Sequence, residues 1–216
     1  MPKQPLIVGN PVLVVVDMQE AGDMPAEEVG IEHMPGYDGR IERAQRLIET
    51  ARAALIPIVF FQEVHRPSGI DFGRELDGVE GEHCVDGRPG TPLHPALLPK
   101  FDGPNHEFHI VKRRYSGFIG TEFEIVLSGL KASTLILVGG LTDVCVHYTF
   151  ADAHQRDFYV RVVTDCVGGS TQYRHDAALD AMEYLQTGAM RTTDEILAAF
   201  AELAPAAAPV LEGAVR

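Results

Sequence analysis

The sequence has no apolar run long enough to cross a membrane. A transmembrane helix needs about 20 consecutive apolar residues, and no apolar run among the 216 residues approaches that length. Residues 1–10 contain one lysine but neither a long apolar stretch nor a small-residue cleavage site, which a signal peptide would have. We therefore expect no membrane partner and no secretory leader.

Basic residues are also scarce. The chain has 18 Lys and Arg against 31 Asp and Glu, a formal net charge of −13. Its one basic run, Lys112-Arg113-Arg114, is too short for a phosphate-binding surface, because such a surface needs clustered cations. This composition argues against nucleic acid as a partner, whereas net charge says little about a small substrate.

Cysteines are few and odd in number: Cys84, Cys145 and Cys166. An odd count in a chain without a leader indicates free thiols in a reducing compartment. We therefore predict a cytoplasmic protein with at least one thiol available for chemistry.

The apolar residues that are present predict one α/β domain over residues 1–216, since 45% of the chain is hydrophobic. Continuous apolar runs predict buried strands over 12–16, 56–61, 108–111, 134–138 and 159–163, and a weak sixth near 189–191. Helical spacing predicts helices over 41–55, 119–130, 144–157 and 171–186, and one from about 193. This alternation predicts a three-layer α/β/α fold with a six-stranded, mainly parallel, Rossmann-like sheet.

Two segments interrupt this pattern. Residues 64–106 are rich in glycine, proline and charge, and so long a loop is typical of a lid or a pocket wall. Residues 204–216 are rich in alanine and proline and predict a loose tail.

Cys145 lies where a predicted strand turns into a helix. Two glycines end the strand, and Thr142 or Asp143 is a natural N-cap for the helix. In the first helical turn, free N–H groups and the helix dipole favour the thiolate, and the same amides could bind an oxyanion. The alternative is a small buried cysteine with no chemical role. For Cys84 and Cys166 we expect structural or pocket-lining roles.

Asp17 and Lys112 lie at the ends of two other predicted strands. Because sites in parallel sheets form beyond the carboxyl ends of the strands, both are expected near Cys145. Asp17 could act as general base toward the thiol, or could simply pin a loop. Lys112 could pair with Asp17 and orient a substrate carbonyl, or could be solvated. Arg113 and Arg114 compete with it for that role.

Three motifs together resemble the isochorismatase-like cysteine hydrolases. They are Val16-Asp17-Met18-Gln19, the stretch 112–118 with Thr121, and the stretch 139–146 with Thr149 and Asp152. The resemblance covers about residues 10–190. It implies an Asp17–Lys112–Cys145 triad, a covalent thioester-type intermediate, and assembly into homodimers to tetramers. It also implies a cis peptide before Leu141 and an oxyanion hole formed by the amides of Leu141 and Cys145.

Within that family, Cys145 favours hydrolysis of a C–N bond, since members that cleave the isochorismate vinyl ether do not use a cysteine nucleophile. We predict an amidohydrolase of small amides, carbamoyl or ureido compounds, similar to the N-carbamoylsarcosine and ureidoacrylate amidohydrolases. The alternatives are a zinc-dependent nicotinamidase and a non-catalytic oligomeric binding scaffold. Position in the sequence suggests further substrate-binding residues, namely Gln19, Glu63, Phe118, His147 and Tyr173.

The metal that nicotinamidases carry is held by an Asp-x-His pair and a further histidine. Here the matching residues are Glu63 and His65, and the next histidine is His83, in a loop of unknown path. These side chains are suitable Zn²⁺ ligands, but they could equally line the exit from a strand into a loop. The prediction is that no cofactor is bound, with Glu63, His65 and His83 as the ligands if zinc is present.

Overall fold

The computed structural model describes residues 5–205, so the predicted tail lies outside the described residues except for residues 204 and 205. Six strands form one sheet: β1 (Asn10–Val16), β2 (Ile58–Glu63), β3 (Glu107–Lys112), β4 (Ala132–Gly140), β5 (Tyr159–Gly168) and β6 (Met190–Arg191). Every pairing is parallel, in the order β3-β2-β1-β4-β5-β6. The predicted sheet is therefore confirmed, and it is parallel throughout.

The centre of the sheet explains the continuous apolar runs. In β1, Val12, Val14 and Val16 point into one core cluster, whereas Leu13 and Val15 point into the other. Both faces are covered by helices, so both sets of side chains are buried. A half-exposed strand would instead alternate apolar and polar residues.

Six α-helices accompany the strands: α1 (Ala26–Val29), α2 (Tyr37–Ala53), α3 (Phe123–Gly129), α4 (His147–His154), α5 (Gln172–Leu185) and α6 (Thr193–Leu203). Apolar residues of α2 and α6 pack on the Leu13 side of the sheet. Those of α3, α4 and α5 pack on the Val12 side. No helix within residues 5–205 is both long and apolar enough to span a membrane.

The order of the strands determines where a crevice can open. The chain builds β1, β2 and β3 outward in one direction, and β4 then pairs with the free side of β1. The connections from β1 and β4 therefore leave in opposite directions, which opens a crevice beyond the carboxyl ends of these two strands. Asp17 and the turn that carries Cys145 lie at this switch point.

Several predicted elements differ from the structure. The helix predicted from residue 119 begins only at Phe123, whose backbone N–H donates to Thr121 Oγ1 at 3.2 Å. The helix predicted over 144–157 is divided into a π-helical turn, Thr142–Val146, and α4. Strand β5 continues five residues beyond the predicted end at Val163, to Gly168, because its last residues pair with the end of β4 after a register shift. The polar residues before Gly168 hide this extension in the apolar pattern.

The segment 64–106 folds over the carboxyl ends of β1 and β2. It contains two short 3-10 helices, Glu75–Asp77 and Pro95–Leu97. Its backbone is tied to the segment after β1, since the N–H of Glu20 donates to the carbonyl of Pro92 at 2.9 Å and that of Ala21 to Gly90 at 3.0 Å. It thereby forms one side of the crevice.

Candidate active site

Four strands deliver one polar side chain each to a single buried cluster. Asp17 follows β1, Glu63 and Lys112 are the last residues of β2 and β3, and Cys145 lies in the π-helical turn after β4. Asp17, Glu63 and Cys145 line a cleft of about 740 Å³, a volume that includes its opening to solvent. The parallel sheet brings them together because all four strands end at the same edge.

Lys112 lies at the centre of the cluster. Its Nζ is 2.8 Å from Asp17 Oδ2 and 3.3 Å from Cys145 Sγ. The side chain is fully buried, so its charge must be balanced by neighbours rather than by water. Asp17 itself adopts a left-handed backbone conformation, with φ of +47°. Lys112 thus contacts the other two residues predicted as a triad, and a carboxylate oxygen of Asp17 lies within 4.8 Å of Cys145 Sγ.

Glu63 is a second carboxylate on the same lysine. Its Oε2 accepts from Lys112 Nζ at 2.5 Å and from Cys145 Sγ at 3.4 Å. The sequence pattern suggested Glu63 only as a pocket or metal residue, because nothing in one strand's pattern shows which side chains the next strand will face. The structure makes Glu63 a direct neighbour of Cys145 and Lys112.

Burial and the neighbouring charges shift the pKa values of the residues in this cluster. It raises the pKa of Asp17 to about 6, although Lys112 acts in the opposite direction. Burial also opposes the charge of Lys112, but the surrounding anionic groups outweigh it and hold the pKa of Lys112 well above its ordinary value. Glu63 is buried too, yet Lys112 and two histidines keep its pKa well below its usual range.

The structure does not favour the predicted thiolate at Cys145. Burial raises the pKa of Cys145 well above its usual value, Lys112 lowers it only in part, and the carboxylates of Glu63 and Asp17 raise it further. The Cys145 side chain is 6% exposed. Burial therefore favours the protonated thiol, and attack on a carbonyl would require a base to take its proton.

The turn between β4 and α4 also differs from the predicted capping. Its N-cap is Leu141, with no capping side chain. Thr142 Oγ1 instead lies 2.9 Å from His175 Nδ1, and the Asp143 carboxylate accepts from the backbone N–H and the hydroxyl of Ser170 at 2.8 and 2.6 Å. These contacts tie the turn to the start of α5. The Gly140–Leu141 peptide bond is cis, as the resemblance implies.

The weaker predicted substrate-binding residues fall into two groups. Gln19 and Glu63 line the cleft, but the side-chain amide of Gln19 bonds the backbone of Glu63 and Thr91. Phe118 lies in the core, where the centre of its ring is 4.8 Å from that of Phe123, so it does not face the cleft. A substrate amide therefore does not meet free donors on Gln19.

Two further predicted residues lie away from the cleft walls. Tyr173 is 83% exposed on α5, because its side chain projects from the outer face of that helix. His147 is half-buried at the first position of α4. Neither is among the described residues that line the cleft.

The three candidate zinc ligands do converge, and a fourth joins them. His65 Nε2 is 3.2 Å from Glu63 Oε1 and 3.1 Å from Glu75 Oε2, and His83 Nε2 is 3.1 Å from Glu63 Oε1. All four side chains are buried, with one ligand atom of each within 4.8 Å of the others. Glu75 Oε1 is buried and has no hydrogen-bond partner among the described residues. Two imidazoles and two carboxylates are a donor set that suits Zn²⁺, so the residues fit a metal ion.

Comparison with known proteins agrees with the site. Residues 11–195 match the family model described as the isochorismatase domain. The chain belongs to the isochorismatase family. A ureidoacrylate amidohydrolase, RutB of Methylorubrum extorquens, is 30% identical over 202 residues, which cover 85% of this chain and 75% of that protein.

Two solved structures share the fold. An isochorismatase-like hydrolase from Alkaliphilus metalliredigens superposes with a TM-score of 0.75 at 27% identity, covering 89% of this chain and 100% of that one. N-carbamoylsarcosine amidase from Thermoplasma acidophilum superposes with a TM-score of 0.70 at 25% identity, covering 86% of this chain and 98% of that one. The predicted family, fold and class, an amidohydrolase of the isochorismatase family, are thereby confirmed.

The sequence patterns missed several residues that line the cleft. Arg40 is buried there at the start of α2, and Glu80 and Tyr115 form a hydrogen-bonded pair of 2.8 Å across it. The sequence does carry one signal for Arg40, since this charged residue directly precedes the apolar helical pattern that begins at Ile41. Glu80 lies in the aperiodic loop, where no sequence pattern distinguishes it.

Proposed function

We propose that the protein hydrolyses a C–N bond of a small amide, carbamoyl or ureido compound through a covalent intermediate on Cys145. The observation that supports this most is the buried contact of Lys112 Nζ with both Asp17 Oδ2 and Cys145 Sγ at the base of a cleft. In the proposed roles, Cys145 is the nucleophile, Asp17 the base and Lys112 the cation that acts on the same carbonyl group.

In the first step, Sγ attacks the carbonyl carbon while its proton passes to Asp17. A carboxylate whose pKa lies near 6 is ionised at neutral pH, yet it is basic enough to take a proton. We propose that the backbone N–H groups of Leu141 and Cys145 bind the oxyanion that forms. Lys112 stabilises the negative charge as it passes between sulfur, carboxylate and substrate.

In the second step, the tetrahedral intermediate collapses and the C–N bond breaks. The leaving nitrogen takes the proton from Asp17 and departs as ammonia or an amine, which leaves a thioester-type bond to Cys145. Water then attacks this carbonyl while Asp17 takes its proton. Breakage of the C–S bond releases the acid or carbamate, and the proton returns to the thiol.

An ammonia-release screen of primary amides and ureido compounds tests this function. We expect turnover by the wild-type protein and at least a thousandfold loss in Cys145→Ala, since the nucleophile is removed. Cys166→Ala is the matched control, because Cys166 is equally buried but lies on the other side of the sheet. Ammonia release retained in Cys145→Ala would contradict the proposal. No turnover of any compound would favour the non-catalytic scaffold.

The cluster of Glu63, His65, Glu75 and His83 favours a second candidate, a zinc-dependent amidase of the nicotinamidase type. A zinc ion bound there would supply a Lewis acid beside the nucleophile. Protein purified without added metal would then contain about one zinc per chain, lost in His83→Ala but kept in His94→Ala, a histidine outside the cluster. A metal-free, active wild-type protein that does not hydrolyse nicotinamide would eliminate this candidate.

A further inference from the structure

Arg40 is a buried cation on the wall of the cleft with no anion beside it. It is 8% exposed and lines the cleft together with Tyr37 and Leu141. Among residues 5–205 it forms no ion pair with a carboxylate; its guanidinium donates to the backbone carbonyls of Pro35 and Met34 at 2.9 and 2.8 Å. A guanidinium has five N–H donors, so these two bonds leave others available.

Among the described residues, the favourable neighbour of this charge is an aromatic ring and not a carboxylate: Arg40 Cζ lies 5.8 Å from the centre of the Tyr37 ring. Burial lowers the pKa of Arg40, Tyr37 raises it and nearby Arg43 lowers it further. The acidic residues of the cleft are engaged elsewhere: Asp17 and Glu63 contact Lys112, and Glu80 accepts a hydrogen bond from Tyr115. A buried cation without an anion is costly, and a bound anion would offset that cost.

The backbone next to Arg40 leaves room for the guanidinium. A Cβ at Gly168 would lie 2.6 Å from Arg40 Cζ, so only glycine permits this approach. Gly168 pairs with Gly140, the residue before Leu141 in the turn of the proposed oxyanion hole. Arg40 therefore lies beside the turn that would bind the scissile carbonyl, separated from it by one pair of glycines.

Much of the lining of the cleft is apolar. Val29, Ile31, Leu141 and Val144 line it, together with the ring of Tyr37. This arrangement suits a short hydrocarbon or unsaturated body with a hydrolysable group at one end and a negative charge at the other.

We propose that Arg40 binds the carboxylate of the substrate, and that the preferred substrates are ureido or carbamoyl acids rather than neutral amides. This inference rests on the proposed function, because it needs the scissile carbonyl at Cys145. Arg40 suits a carboxylate because its planar guanidinium can donate two parallel hydrogen bonds.

The test compares 3-ureidopropanoate with N-butylurea, a neutral compound of similar length. We expect the wild-type protein to prefer the acid, and Arg40→Gln to lower kcat/KM for the acid by about tenfold to a hundredfold, mostly through KM. Turnover of butylurea should change less than threefold. Arg40→Lys should recover part of the loss, since it restores the charge but not the paired donors.

Arg43→Gln is the matched control, because Arg43 lies one turn along the same helix and bonds the backbone of Asp165 outside the cleft. It should leave both substrates unchanged. Equal losses for acid and neutral urea in Arg40→Gln would show that Arg40 only holds the loop at residues 34–35, and would overturn the inference.

Binding separates this inference from the proposed function. In a Cys145→Ala background, calorimetry should show that 3-ureidopropanoate binds at least tenfold more weakly once Arg40 is replaced by Gln. If the wild-type protein hydrolyses neither compound but this difference is found, the proposed function fails and the anion site stands. If both affinities are the same, the anion site fails whatever the turnover.

Discussion

At the scale of single residues, the site depends on where protons lie. The sequence pattern predicts an activated thiolate, but the structure buries Cys145 next to two carboxylates. The role proposed for Asp17 follows from this difference, because a protonated thiol would need a nearby base, and a carboxylate oxygen of Asp17 lies within 4.8 Å of Sγ. The three residues predicted as a triad therefore lie together, while burial does not favour the predicted thiolate.

This arrangement gives a pH dependence. Burial raises the pKa of Asp17 from its ordinary value to about 6, and the base must be ionised to accept the thiol proton. The charged or titratable groups around it are Lys112, Cys145 and Glu63. Below about pH 6, Asp17 is protonated, so kcat/KM should fall by about tenfold per pH unit and be constant between that value and neutrality.

A profile of kcat/KM from pH 4.5 to 8 measures this fall in activity on the acid side. Asp17→Asn should be inactive over the whole range, because an amide cannot accept the proton. If kcat/KM of the wild-type protein instead falls only near pH 4, the ordinary pKa of a carboxylate, Asp17 is not the base or is not desolvated.

At the scale of elements, a π-helical turn carries Cys145. Apolar periodicity predicts a helix here, but it contains no information on which carbonyl each N–H selects. The Leu141 carbonyl accepts from the N–H of both Val144 and Val146 at 3.1 Å, and Asp143 ties the turn to Ser170. The bonds to Ser170 join the turn to a distant part of the chain, so the local sequence could not show them.

Removing that tie should loosen the turn. Asp143→Ala breaks two hydrogen bonds to Ser170 and should destabilise the fold by about 1–3 kcal/mol. In a chain of this size that corresponds to a lower Tm by about 2–12 °C. We also expect kcat to fall more than KM rises, because Cys145 and the amide of Leu141 lose their fixed positions.

Thermal unfolding and steady-state kinetics measure both effects. Asp176→Ala is the control, since that carboxylate accepts a bond from Gln172 on the exposed face of α5. If the two variants behave alike in both measurements, the tie at Asp143 does not position the turn.

At the scale of the whole molecule, the sequence predicts the sheet well and the cleft poorly. Continuous apolar runs are a local signal of strands buried on both faces, and they predict five of the six strands. Residues 64–106 have no such period, so Glu75 and Glu80 could not be placed near the site. The crevice between β1 and β4 opens because β4 pairs with the free side of β1. That pairing joins strands far apart in the sequence, so neither strand alone predicts it.

Assembly is a prediction at this scale, since the family resemblance implies a homodimer or tetramer. Light scattering after size exclusion should then give about two or four times the chain mass of 23.6 kDa. A mass of one chain at micromolar concentration and above would contradict it.

Covalent capture on Cys145 tests the central claim most directly. Wild-type protein mixed with a substrate found in the ammonia screen and quenched in acid within one turnover should carry the acyl group of that substrate. Peptide mass spectrometry should locate it on Cys145, with no adduct on Cys84 or Cys166. Rapid ammonia release with no adduct on Cys145 at any time in the first turnover, or an adduct on another residue, would contradict the account.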